Sequence, residues 1–92
     1  MIPQRLGDII FNVLGNASAQ IKIMMVLCGT KEEFFISAKW ITKRTGLSQQ
    51  SYSAALRKLV ERGWLTHRNY AYITVNYDKI YEDGRAFDEE QP

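Results

Sequence analysis

Residues 44–65 read Arg44-Thr45-Gly46-Leu47-Ser48-Gln49-Gln50-Ser51-Tyr52-Ser53-Ala54-Ala55-Leu56-Arg57-Lys58-Leu59-Val60-Glu61-Arg62-Gly63-Trp64-Leu65. Gly46 and Gly63 each follow a helical segment, at the place where the chain must turn left-handed and glycine does so without steric penalty. Ser48 offers the short hydroxyl that satisfies orphan N–H groups at a helix start. The full capping box is absent, because Ser51 rather than a glutamate stands three residues on. The spacing therefore predicts a helix over 49–62. Tyr52, Ala55, Leu56, Leu59 and Val60 fall on one face of it. Gln49, Gln50, Ser53, Ala54, Arg57, Lys58 and Glu61 fall on the other.

Working upstream, Ser37 precedes Ala38-Lys39-Trp40-Ile41-Thr42-Lys43-Arg44-Thr45, a helix of about two turns. Ile41 and Leu47 are apolar where the two helices must meet, and small Ala55 allows close approach. This is a helix-turn-helix pattern. An α-helix fits the major groove of DNA and reads bases with its N-terminal half. Glutamine pairs with adenine edges and arginine with guanine. Gln49, Gln50, Ser53 and Arg57 are therefore the candidate base readers. Lys39, Lys43, Arg44, Thr45, Ser48 and Lys58 are the candidate backbone contacts, with Thr42 able to add a hydrogen bond.

Downstream of Gly63 the period changes to two. Ile73, Val75 and Tyr77 alternate with Tyr72, Thr74 and Asn76, which predicts a strand. With Trp64–Arg68 it makes a hairpin whose turn includes Asn69, a residue tolerant of positive φ. Arg68 and Tyr70 belong to its tip. His67 is a lone strand histidine, structural or a weak backbone contact, with no partners for a metal. Trp64 packs where the hairpin leaves the helix. Asp78–Tyr81 forms one closing helical turn. Residues 82–92 hold five acidic side chains, one basic side chain and Gly84. They read as an acidic disordered tail.

Toward the N-terminus, residues 1–16 read as an apolar helix or hook built on Leu6, Ile10, Val13 and Leu14 and stopped by Gly15. A helix over 17–28 follows, capped by Asn16 or Ser18. Its residues Ile21, Ile23, Met24, Met25, Val26, Leu27 and Cys28 are apolar nearly all round, so it must be covered on more than one side. Met24 and Met25 read as core filler, with a dimer surface as the alternative. Phe34-Phe35-Ile36 is too short for an independent strand and is expected to edge a sheet made elsewhere. Trp40 covers the core beside that edge.

Composition narrows the function. The chain has 92 residues, 46% hydrophobic and 24% charged, which is ordinary for one globular domain. Its single cysteine, Cys28, excludes an internal disulfide and reads as a buried apolar residue. The run Ile23–Cys28 is far short of a membrane span. Without a secretory signal at the N-terminus, a cytoplasmic protein is expected. A single histidine and the lack of a glycine-rich phosphate loop argue against an enzyme, and no cofactor is called for. The net charge is +2, but it is unevenly spread. Residues 31–70 carry eight basic and three acidic side chains, and residues 71–92 carry two basic and six acidic ones. A basic centre facing a polyanion is the natural reading.

Residues 37–65, above all Arg44-Thr45-Gly46-Leu47-Ser48 and Ala55–Leu65, resemble the winged helix-turn-helix of small bacterial and phage regulators. The likeness extends over residues 17–77, and some such domains open replication initiators. It implies an α+β, mostly helical fold: a three-helix core plus a β-hairpin wing, here with an extra N-terminal apolar segment. The domain would span 17–81, between the 1–16 segment and the 82–92 tail. It also implies that the 48–62 helix enters the major groove of double-stranded DNA and that the hairpin is the wing, with His67, Arg68, Asn69 and Tyr70 as its contacts. The function expected is transcriptional regulation or replication initiation in a phage, plasmid or other mobile element. A homodimer on a repeated or palindromic site would supply specificity that one copy lacks. The competing expectation is a protein-interaction adaptor that uses the acidic tail to dock a partner. A truncated N-terminal domain of a larger initiator is a weaker third, against which the Met1 start and acidic end argue.

Overall fold

A computed structural model describes residues 3–29, 34–35, 38–69 and 72–90. Among them the order is α1 (Gln4–Leu14), α2 (Ser18–Cys28), β1 (Phe34–Phe35), α3 (Ala38–Thr45), α4 (Gln49–Arg62), β2 (Leu65–Asn69), β3 (Tyr72–Val75) and α5 (Tyr77–Glu90). This is the expected mostly helical winged helix, with helices flanking it at both ends.

The turn between α3 and α4 forms for the reasons its sequence suggests. Gly46 takes φ +73° and its N–H donates to the Thr42 carbonyl at 2.9 Å. Thr45 holds the turn from inside: its hydroxyl donates to the Ile41 carbonyl at 2.8 Å and accepts from the Leu47 N–H at 3.3 Å. Ser48 is extended, and its Oγ accepts from the Ser51 N–H at 3.1 Å. At the far end Gly63 sits at φ +87° while the Trp64 N–H closes on the Leu59 carbonyl.

The core runs through Ile23, Met24 and Leu27 of α2, Ile41 of α3, Leu59 of α4, Trp64, Leu65 and Ile80, all buried. Helix α2 contacts α1, α3 and α4, which meets the demand of its all-round apolar surface. Its start differs from expectation. Neither Asn16 nor Ser18 caps it; Ala17 occupies the N-cap and no side chain caps the helix. Gly15, at φ +58°, ends α1 so abruptly that Ser18 is already helical.

The sheet is antiparallel in the order β1-β3-β2. Leu65 faces Val75 and His67 faces Ile73, and the register slips between His67 and Asn69, leaving Arg68 as an extra residue. Phe34 and Phe35 pair with Ile73 and Tyr72, so the short apolar run does edge the hairpin. Tyr77 is not a strand residue; it opens α5 and is 42% exposed.

The tail reading is overturned. Residues 82–90 are not disordered, and the single turn expected at 78–81 extends into a fourteen-residue helix. Asn76 Oδ1 accepts from the Lys79 N–H and caps it. Ile80 and Gly84 are buried, Tyr81 and Phe87 half-buried, and this one face packs on α1 while the acidic side chains lie largely outside it. A Cβ at Gly84 would stand 2.6 Å from Ile9 Cδ1, so the two helices touch through a missing side chain. Arg5 and Asp88 form an ion pair across the same contact.

Candidate nucleic-acid interface

Helix α4 presents its expected outer face. Gln49, Gln50, Ser53, Ala54, Arg57, Lys58 and Glu61 are exposed, while Tyr52, Ala55 and Leu59 are buried on the body. The four candidate base readers therefore stand free on one side of one helix. Lys39, Lys43 and Arg44 are exposed on α3 beside them.

Two backbone candidates are committed within the fold. The Thr45 hydroxyl is used twice inside the turn, and Thr45 is half-buried. The Ser48 hydroxyl caps α4 and donates to Ser51 Oγ at 3.0 Å. Thr42, similarly, donates to the Lys39 carbonyl at 3.2 Å. What these residues offer a phosphate is mainly the positive end of α4 that they shape.

The electrostatics are one-sided. None of Lys39, Lys43, Arg44, Arg57, Lys58 and Arg62 forms an ion pair with another described residue. Two acids of α5 are paired with other cations, Asp88 with Arg5 and Asp83 with Lys79 at 2.9 Å, although the charge of Arg62 is also felt at Asp83. Two of the free cations are steadied by aromatic faces. Arg44 lies 4.1 Å from the Trp40 ring centroid and Arg62 5.6 Å from that of Trp64. Arg62 stands outside the residues expected to touch DNA. The i, i+2 pairing with Trp64 across a glycine was the only signal in the sequence that could have marked it.

Trp64 itself is fully buried and cannot stack on a base. Its indole N–H donates to Asp83 Oδ2 at 2.7 Å, which ties the root of the hairpin to α5. Trp40 is half-buried against the core, as expected. The hairpin's backbone through Asn69 is in place, but the contacts expected of the His67, Arg68 and Asn69 side chains and of Tyr70 lie outside the described residues.

A helix-turn-helix whose exposed face and approach carry six cations against the single acid Glu61, with a strand hairpin behind it, defines a winged-helix nucleic-acid-binding protein. Residues 15–69 match the MarR family, more than half of the chain, and the chain belongs to it. That family consists of DNA-binding transcription regulators rather than enzymes. No curated protein and no solved structure matches the sequence. The match runs from the end of α1 to the end of β2, so α1 and α5 flank the family region. No helix among the described residues is long and apolar enough to cross a membrane.

Proposed function

We propose that this chain regulates transcription by binding double-stranded DNA with α4 in the major groove. Gln49, Gln50, Ser53 and Arg57 read bases; Lys39, Lys43, Arg44 and Lys58 hold phosphates; and the hairpin flanks the duplex as a wing. The observation that carries this is the exposure of α4's polar face together with six cations on or beside it that form no ion pair with a described residue. Family membership favours a transcriptional role over a replicative one.

The functional unit is a homodimer. Phe11 is 53% exposed on α1 beside an apolar groove lined by Ile21, Met25 and Val26. Asp8, one turn before Phe11, is exposed, and Lys22 and Arg44 stand on the groove rim. A second copy offers Phe11 to the groove and Asp8 to Lys22, reciprocally, as a two-fold contact requires.

The test is fluorescence anisotropy of the full chain on sheared duplex DNA at rising salt. The four phosphate contacts give a slope of log affinity against log salt of about −0.9 for each. No binding even at low salt would overturn the reading in favour of a protein-interaction adaptor.

A further inference from the structure

Helix α4 and the hairpin meet at one joint. Gly63, at φ +87°, ends the helix, and Leu65 already begins β2. The angle between the reading helix and the wing is therefore set at Gly63 and Trp64. A glycine gives such a joint no stiffness of its own, because it lacks the Cβ that restricts the backbone of other residues.

Helix α5 supplies the stiffness. The Trp64 carbonyl accepts from the Asn76 N–H at 2.8 Å, and the Asn76 side chain in turn caps α5. The Trp64 indole N–H donates to one oxygen of Asp83 at 2.7 Å, and Lys79 Nζ donates to the other at 2.9 Å. The methylenes of Lys79 run over Gly63, where a Cβ would stand 3.5 Å from Lys79 Cγ. Asp83 thus holds both sides of the joint, the indole on the hairpin side and Lys79 on the helix side. Trp64 is fully buried, which shields the indole end of this brace from water. Arg62 lies over the same indole, 5.6 Å from the ring centroid, and its charge is felt at Asp83.

We propose that Asp83, acting through Trp64 and Lys79, is a positioning residue for DNA binding that fixes the wing relative to α4, an assignment that rests on the DNA reading proposed above. A helix in the major groove and a hairpin beside it must fit one stiff duplex at the same time. The tolerance of such a two-part site is about 0.5 Å. A braced joint meets it before the duplex arrives, whereas a loose one must be ordered on binding, at a cost in affinity. Asp83 itself touches no DNA in this arrangement.

The test is hydroxyl-radical footprinting and anisotropy of the full chain on a duplex selected from a random pool, at a temperature where circular dichroism shows each variant folded. The parent is expected to protect a central major-groove site and a flank beside it. Asp83→Ala should lose the flank, keep the centre and bind roughly three- to tenfold more weakly. A loss of stability alone weakens centre and flank together, so the ratio of the two is the readout. Asp83→Asn keeps an oxygen for the indole proton and should restore the flank. If Asp83→Ala does not fold, Lys79→Met replaces it: the ammonium is lost at a half-buried position, the core is left intact, and flank protection should fall relative to the centre. An unchanged ratio, or one that Asp83→Asn fails to restore, overturns the brace alone. A parent footprint without a flank overturns it as well, since there is then no wing contact to position. A parent that leaves no footprint overturns the DNA reading and the brace together.

Discussion

The Trp64 indole N–H donates to Asp83 Oδ2 at 2.7 Å, joining the root of the hairpin to the last helix. Trp64 is fully buried, so removing its acceptor strands a donor away from water. Asp83→Ala should destabilise the chain by about 1–3 kcal/mol. For a domain this size, that is a fall in Tm of at least about 4 °C. Burial by itself pushes the Asp83 carboxyl up, but the hydrogen bonds from Trp64 and Lys79 outweigh it, aided by the charges of Lys79 and Arg62, and hold it below the usual carboxylate value. The folded state therefore binds the proton less readily than the unfolded one. This contribution is complete above the unfolded value of about 3.9 and fades as pH falls through and below it. Denaturant titrations between pH 2 and 6 should show a shallower acid loss in Asp83→Ala than in the parent.

Gly84 meets Ile9 so closely that an added Cβ would lie 2.6 Å from Cδ1, 2.7 Å from Cγ1 and 3.1 Å from Cγ2. Ile9 is buried and β-branched, so it has little room to turn aside. Gly84→Ala should destabilise by about 1–3 kcal/mol despite alanine's better helix propensity. In an Ile9→Ala background the same glycine substitution should cost less, so that the double variant loses less than the sum of the two single losses in thermal unfolding. Additive losses would show that the two helices do not meet through these residues.

These two contacts mark where sequence reading stopped. Helix α4 is legible because Ser48, Gly63 and a 3.6-residue apolar period agree on its bounds, and its outer face follows from the same period. Helix α5 is hidden because its acidic residues read as a solvated tail and Gly84 reads as a breaker. Its stability comes from docking on α1, a contact between the two ends of the chain that no local pattern records. The base-reading candidates are legible for the reason α4 is. That Thr45 and Ser48 are engaged by the turn follows only from hydrogen bonds seen in three dimensions.

Burial pushes the Cys28 thiol up to about 11 from 9.0, against a smaller opposing effect of its hydrogen bond with Tyr77. A two-unit rise leaves about a hundredfold less thiolate at pH 8 than in the unfolded chain. Labelling of Cys28 by a disulfide reagent should therefore be at least that much slower in native buffer than in denaturant. Comparable rates would mean that the α2–α5 contact opens readily.

Phe11 tests the proposed dimer. Its ring is already 53% exposed, so Phe11→Ser should change the stability of a single copy by no more than about 0.5 kcal/mol. It should nevertheless convert a dimer to a monomer in sedimentation velocity at tens of micromolar protein and weaken binding to a two-half-site duplex. A parent chain that sediments as a monomer at that concentration would remove the dimer.

Arg57 and Lys43 separate reading from holding. Arg57 projects from the middle of α4's free face, and Lys43 lies exposed on α3. If Arg57 pairs with a guanine edge, Arg57→Ala costs about 1–3 kcal/mol on the selected site and relaxes preference at one base position only. Its effect on random duplex should be far smaller. Lys43 carries no base information, so Lys43→Ala should weaken selected and random DNA alike and make the salt slope shallower by about one phosphate contact, roughly 0.9. Anisotropy with a duplex selected from a random pool, beside an unselected one, distinguishes the two patterns. Equal behaviour of both variants on both duplexes would mean that α4 does not lie in the groove, even if the protein still binds DNA.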